Sequence, residues 1–412
     1  MTILAARPTY RSALRPHDFR LLLAGHGIAT IAQLALTLAL GIEVLERTGS
    51  GWWLSVTVAL GFVPYVLASG YAGLLADRHS RSAVLTLTFL TRAGCAAVLA
   101  IGVPMHWPVP VQVAIAAITA VLATPSYPAL AAATVQCVPD AQLPPANALV
   151  TGVENAGWMA GPGVLGLILL SGGGPAVAVG AAAALFLAAA ALSGRVRLPR
   201  PDRTPAGEAG LWPELRAGLH LVGRVAAVRR PMTVAVIDNF LYGYLVVAVV
   251  LIGQDAFGDE GVGLLNSAAA LGGLLSLAPV ALLSARVRPA PLLLAAMSTF
   301  GAAVLLVGLS GSAWLSAGLV FVAGGASLLA EVTAVTLLQR ATPEALTARV
   351  FGVYDQLNVG ALAAGSLLAG PLADVLGGGG AMVTVAGLGL VAGVLATRRL
   401  LRPRRRGRHA AR

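Results

Sequence analysis

Long apolar runs recur along this chain with little between them, and no other feature limits its folding as much. They fall at about 19–45, 52–76, 82–104, 109–136, 146–170, 175–193, 232–253, 262–284, 290–310, 313–338, 350–372 and 379–397. A helix that crosses a bilayer needs about 20 apolar residues, and each run is near or above that length. Soluble domains carry about 25% charged residues; here the charged fraction is 11% of 412 residues, too little to coat a water-facing surface. A transmembrane barrel would show short segments of alternating polarity. The expected fold is therefore an all-α polytopic membrane protein with twelve transmembrane helices.

Most joints between runs are short, and the one long polar stretch lies between the sixth and seventh. It divides the chain into an N-terminal six-helix half (1–193), a linker (194–231), a C-terminal six-helix half (232–399) and a basic tail (400–412). All 28 basic residues are arginine, and with the amino terminus inside, only Arg47 falls on the outer face and only Arg92 within a span. Basic loops stay cytoplasmic, so both termini are expected in the cytoplasm and the protein in the plasma (inner) membrane. The formal charge of +11 thus reads as a topology signal and not as a nucleic-acid surface. The tail arginines Arg402, Arg404, Arg405, Arg406 and Arg408 read as a solvated stop signal, with contact to anionic lipid heads as the alternative. The amino terminus has no small-residue cleavage site before its first run and reads as a retained span.

Enzymatic equipment is not visible. Without lysine there is no phosphate-binding Gly-x-x-x-x-Gly-Lys-Ser/Thr loop. His17, His26, His79, His106, His220 and His409 lack metal spacing, and Cys95 and Cys137 read as packing residues. No cofactor and no metal is expected.

A weak internal repeat supports two related halves. Shifting by 204 residues sets Pro139, Asp140 and Ala141 on Pro343, Glu344 and Ala345, and Gly161 on Gly365. Between the second and third runs stands Gly73-Leu74-Leu75-Ala76-Asp77-Arg78-His79-Ser80-Arg81. It resembles the Gly-x-Leu-Ala-Asp-Arg-x-Gly-Arg-Arg signature of the major facilitator superfamily, at the loop where that family carries it. Gly73 and Asp77 share a helix face, where glycine permits close helix approach and Asp77 can face the amino end of another helix. The resemblance implies that this partner is the eleventh span, near Ala348, and that the contact latches the two halves. Arg78 and Arg81 add positive-inside charge, while Ser80 and Ser82 depart from the signature.

The likeness extends along nearly the whole chain and is nearest to bacterial drug, macrolide and siderophore exporters. It is carried by Asp18-Phe19-Arg20-Leu21-Leu22, by Thr48-Gly49-Ser50, and by Leu143–Leu149 with Ala146-Asn147-Ala148. Gly157, Gly161, Pro162, Gly163 and Gly166 in the fifth span resemble the family's antiporter motif and read equally as tight helix packing. The arginine that many drug antiporters carry in span four is missing.

Ionisable groups at membrane depth are costly and usually functional. At 1.5 Å per residue, Asp238 and Asp355 lie roughly 10 Å deep and Glu154, Glu331 and Arg92 roughly 12–16 Å. The resemblance implies that spans one, four, seven and ten line a central cavity. Asp238 and Glu331 fall there and are the leading candidates for binding protons or a cationic substrate, which would compete for the same carboxylate. Glu154, on a flanking span, is open between coupling and a structural ion pair. Arg92 reads as a structural partner for a carboxylate. Asp355, near the start of span eleven, reads as structural or as part of the latch through the helix dipole. Gln33, Tyr127, Asn239, Tyr242 and Tyr244 are candidate polar or aromatic cavity contacts.

The function expected is secondary active transport: proton-coupled export of a small organic compound such as a drug, antibiotic or natural product, by rocking of the halves, with the proton gradient as energy source. The partners expected are the small molecule, protons and membrane lipids, and the family resemblance implies a monomer. Uptake or facilitated diffusion on the same fold is the alternative within transport, and a non-transporting membrane sensor or assembly protein is the alternative of another class.

Overall fold

The computed structural model describes residues 10–63, 80–139, 142–198, 223, 225–342 and 347–401. Every regular element among them is an α-helix, as backbone groups in lipid require. Ten helices are long and apolar enough to cross a membrane. The second span is described only as Gly51–Ala59 and its continuation to residue 63. The seventh and eighth spans run together as Ala226–Arg286, broken at Gly258 (φ 66°, ψ −165°). A single residue there replaces the loop expected between 253 and 262, and its backbone conformation is one that glycine adopts without strain. This helix begins inside the stretch assigned to the linker. The architecture agrees with twelve spans.

The remaining spans, numbered in chain order, are His17–Thr48 (first), Arg81–Gly102 (third), Val109–Cys137 (fourth), Leu143–Leu170 (fifth), Pro175–Gly194 (sixth), Pro289–Leu309 (ninth), Ala313–Ala341 (tenth), Thr347–Leu376 (eleventh) and Gly378–Leu401 (twelfth). A short helix, Tyr10–Ala13, precedes them. Gly49 ends the first span in the left-handed conformation (φ 61°), its N–H reaching the Leu45 carbonyl at 2.8 Å. Ser80, which departs from the family signature, caps the third span by accepting the Ala83 N–H at 3.2 Å. The fourth span is two helices, Val109–Ala123 and Ser126–Cys137, because Pro125 has no N–H to continue the first. Thr124 and Ser126 hydroxyls donate to the Val121 and Ala123 carbonyls at 2.8 and 2.5 Å, which satisfies part of the interrupted backbone.

Exposure follows a membrane pattern. On the third span Leu85, Phe89, Ala93, Ala96 and Leu99 are buried, while Leu87, Leu90, Val98 and Ile101 face outward.

Among the first six spans, the first packs on the fifth and sixth, and the third on the sixth; among the last six, the ninth packs on the tenth and twelfth. The repeat is visible in how glycines are used. A Cβ on Gly161 of the fifth span would press on the first span at Leu34 and the Ile31 carbonyl; one on its counterpart Gly365, in the eleventh, would strike the seventh span at the Phe240 carbonyl.

Among the described residues, two glycine contacts between the halves are related by the same register. Gly166 meets the eighth span at Gly263 and Ser267, where an added Cβ would lie 2.5 Å from the Gly263 carbonyl oxygen and 3.0 Å from the Ser267 nitrogen. Gly370, 204 residues on, meets Gly51 and Ser55 of the second span. There the Gly370 N–H donates to Ser55 Oγ at 2.8 Å. Each glycine thus faces a Gly-x-x-x-Ser pair of the opposite half, spaced one helical turn. Both contacts lie at the end of the bundle away from the termini.

Candidate functional site

Asp238 sits three turns into the seventh helix and is 2% exposed. Ser327 of the tenth span donates to its Oδ2 at 3.1 Å, and among the described residues Oδ1 has no hydrogen-bond partner. One turn beyond Asp238 is Tyr242, and one turn beyond Ser327 is Glu331; the two spans run antiparallel, so these residues flank the Asp238–Ser327 bond on opposite sides. Asp238, Tyr242 and Glu331 lie within electrostatic reach of one another.

Glu154 of the fifth span lies within electrostatic reach of Glu331 and Asp355, although it belongs to the other half of the chain. Tyr127 is the second residue after Pro125, in the first turn of Ser126–Cys137, and lies within electrostatic reach of Glu154 and Asp355. Its side chain is 46% exposed. The structure therefore gathers Tyr127, Glu154, Asp238, Tyr242, Glu331 and Asp355 from five spans into one region. Among the described residues, none of Glu154, Asp238 and Glu331 is ion-paired. Glu154 is twelve residues, roughly 18 Å along the helix, on the terminal side of Gly166.

Several expectations are corrected. Asp355 is not held by the dipole of its helix: the eleventh span begins at Thr347 and its first turn has no acid, so Asp355 is in the third turn, beyond the range of that effect. It stands instead beside Glu154 and Tyr127. Among the described residues, Arg92 has no carboxylate partner. It is 4% exposed, donates from Nη2 to Gln33 Oε1 at 2.6 Å, and lies 4.3 Å above the centre of the Phe186 ring, an arrangement in which the aromatic face supplies the negative end. Gln33 is committed to this network, since its Nε2 donates to Thr37 Oγ1 at 3.0 Å. Asn239 donates to its own helix at the Ala235 carbonyl, 3.1 Å away. Tyr244 is 1% exposed and packs in the hydrophobic core.

The fifth-span glycines divide by face. Gly157 abuts Thr30 and the Gly27 carbonyl, and Gly161 abuts Leu34, all on the first span, whereas Gly163 and Gly166 abut the eighth at Ala270 and Gly263. Pro162 lies within an unbroken helix. Of the expected latch, Gly73, Asp77 and Arg78 lie outside the described residues; Arg81 opens the third span with Nε and Nη1 buried and, among the described residues, without hydrogen-bond partners.

The structure adds residues that the sequence reading passed over. Ser327 holds Asp238. Tyr354, 8% exposed, places its hydroxyl beside Asn358 and within electrostatic reach of Glu331, Asp238 and Asp355. His26 is 8% exposed beside Arg92; its position inside the first apolar run was the available signal. Glu43, near the other end of that run, is 3.9 Å from Arg47, whose guanidinium donates to the carbonyls of Trp107 and His106 at 2.6 and 3.2 Å. The one arginine expected outside thus ties the loop after the third span to the first.

The comparisons with known proteins bear on this arrangement. The chain is 30% identical over 402 residues to the enterobactin exporter EntS of Salmonella paratyphi A, covering 92% of this chain and 91% of that one. It is 29% identical over 374 residues to the multidrug efflux pump Tap of Mycolicibacterium fortuitum, covering 86% and 87%. Macrolide efflux protein A of Streptococcus pyogenes matches at 30% over 146 residues, 35% of this chain and 36% of that one. In fold, the nucleoside transporter NupG superposes with a TM-score of 0.72 at 11% identity over 93% of this chain and 99% of that one, and a peptide-bound POT family transporter with 0.70 at 13% over 93% and 95%. The family model of the Major Facilitator Superfamily matches residues 21–357. Two halves of spanning helices, polar groups gathered between them and this match lead to one conclusion: the chain is a multi-pass membrane transporter and belongs to the Major Facilitator Superfamily.

Proposed function

We propose that the chain exports small organic compounds across the plasma membrane in exchange for protons, by alternate opening of the two halves, with both termini cytoplasmic and a monomer as the working unit. The observation that carries the reading is Asp238, buried in a lining span with one oxygen held by Ser327, the other unpartnered, and no ion pair. A carboxyl so placed has a fixed orientation and a vacant acceptor for a proton or a cation. Export as the direction is supported by the relatives, which are an enterobactin exporter, a multidrug efflux pump and a macrolide efflux protein. With the termini inside, the Gly166 and Gly370 contacts close the outer end and leave the carboxylates on the cytoplasmic side, the arrangement a pump has when it loads. Lipid meets the outward apolar faces, such as that of the third span.

The test uses proteoliposomes with an imposed pH gradient and a panel of drugs and natural products. Substrate movement is expected to run against proton flow and to collapse when the gradient is abolished, and Asp238→Asn is expected to uncouple it. Movement indifferent to the gradient would reject antiport, and full coupling in Asp238→Asn would reject the assignment of this residue.

A further inference from the structure

Where the third span begins and the sixth ends, the two helices enclose a groove of about 420 Å³. Ser82, Ala83, Thr86, Leu87 and Leu90 line it from the third span, and Gly194 from the sixth. The third-span residues recur at intervals of three and four and share one helix face. The opposite wall is low because Gly194 has no side chain: a Cβ added there would lie 3.6 Å from Thr86 Cγ2, in ordinary contact. From Ser82 to Leu90 the groove runs roughly 12 Å along the helix, most of the hydrocarbon depth of one leaflet, roughly 15 Å. Its polarity changes along that length. The hydroxyls of Ser82 and Thr86 stand nearer the membrane surface, while Leu87 and Leu90, 63% and 46% exposed, stand deeper.

A second observation is charge. Arg81 opens the third span beside Ser82, and Arg195 follows Gly194 with its side chain exposed. Among the described residues, neither is ion-paired. Arg81 stands at the amino end of its helix, where the dipole disfavours a cation, and its Nε and Nη1 are buried and, among those residues, unpartnered. Arg197, two residues beyond Arg195, is exposed as well. Asp18 of the first span is at the same end, and its Oδ1 accepts the Arg197 backbone N–H at 3.4 Å.

We propose that this groove holds one anionic phospholipid of the cytoplasmic leaflet, its phosphate on Arg81 and Arg195 and one acyl chain along Leu87 and Leu90. Basic recesses between spans on the cytoplasmic side suit such head groups, and guanidinium is the side chain best matched to phosphate. The order of groups along the groove is cation, hydroxyl, leucine. A phospholipid presents the complementary order of phosphate, ester and hydrocarbon. A zwitterionic lipid brings an ammonium beside the same arginines and is repelled by them. A soluble anion would meet the arginines and leave the leucines unmatched. The central acids lie on other spans, so this site is separate from the transport path and does not depend on what the chain exports. The basic tail, 400–412, is not required for it. Once bound, the lipid bridges the third and sixth spans and stabilises the folded chain by mass action.

The test is native mass spectrometry of the full-length protein, released from detergent after incubation with dioleoylphosphatidylglycerol or, separately, dioleoylphosphatidylcholine. One phosphatidylglycerol per chain is expected, held about thirtyfold more tightly than phosphatidylcholine, as two arginine contacts supply. Arg81→Gln and Arg195→Gln are each expected to weaken it about fivefold, and the double variant about thirtyfold. Gly194→Leu fills the groove without changing charge and is expected to remove the tight site. Arg404→Gln combined with Arg405→Gln, in the tail, is expected to leave it intact. Equal retention of the two lipids overturns the proposal, as does unchanged binding in Gly194→Leu or in the double arginine variant. Loss in the tail variant, a dimer carrying the lipid between two copies, or displacement by millimolar sn-glycerol 3-phosphate would each assign the lipid elsewhere and also overturn it. If Gly194→Leu fails to fold, Ser82→Leu fills the groove from the other wall and decides in its place. Phosphatidylglycerol is further expected to raise the unfolding temperature of the wild type and not of the groove-filled variant, and an equal rise in both would refute the groove as the site.

Discussion

Ser327 fixes one oxygen of Asp238 and leaves the other open, so Ser327→Ala removes a buried donor while the acid stays in place. Leaving a buried acceptor unsatisfied costs about 1–3 kcal/mol, and the purified variant is expected to unfold at a lower temperature. In an Asp238→Asn background the same change is expected to cost less, because the two residues act as a pair. Equal losses in both backgrounds would show that Ser327 contributes elsewhere. The acids themselves were legible in the sequence, since a carboxylate inside an apolar run has few inexpensive explanations. Ser327, Tyr354 and Asn358 were not, because neutral polar residues recur throughout such runs and only the fold shows which of them turn toward an acid. Arg92 illustrates the opposite failure: its depth was legible, but its partners, an amide and an aromatic face, carry no charge to betray them.

For whole helices, what decides is how closely two of them approach. The apolar runs marked the spans because hydrophobic length is a property of sequence alone, while the Pro125 break was hidden inside one of them and the joint at Gly258 proved to be a single residue where a loop was expected. The repeat placed Gly161 on Gly365, but which helix each one touches required the structure. A methyl group on Gly370 would collide with the Gly51 backbone, and one on Gly94 meets nothing within 4 Å. Gly370→Ala is therefore expected to lower the unfolding temperature and to loosen the second and eleventh spans. Gly94→Ala is expected to be neutral or stabilising by up to about 1 kcal/mol, the helix preference of alanine over glycine. Differential scanning fluorimetry of the two variants side by side checks the contrast, and equal stability would remove Gly370 from the joint.

At the scale of the molecule, the two joints are copies of one design, Gly166 on Gly263 and Ser267, and Gly370 on Gly51 and Ser55. Equivalent joints on the two diagonals can open together, which is what a rigid rotation of one half against the other requires. Closed, they bring the ends of the second and eleventh spans together away from the termini. Trp52 and Val375 stand at those ends with 46% and 80% exposure, so spin labels at Trp52→Cys and Val375→Cys, with Cys95 and Cys137 replaced by alanine, report the gap without entering the joint. Protein without substrate is expected to show a predominant short distance. A longer distance is expected to gain population in Gly370→Ala, and in wild type when a transported compound or a pH gradient favours the open state, since a ligand moves the balance only by binding one state better. A single unchanging distance under all these conditions would mean that the halves do not part at this joint, and the alternating opening would have to be sought at another pair of helices.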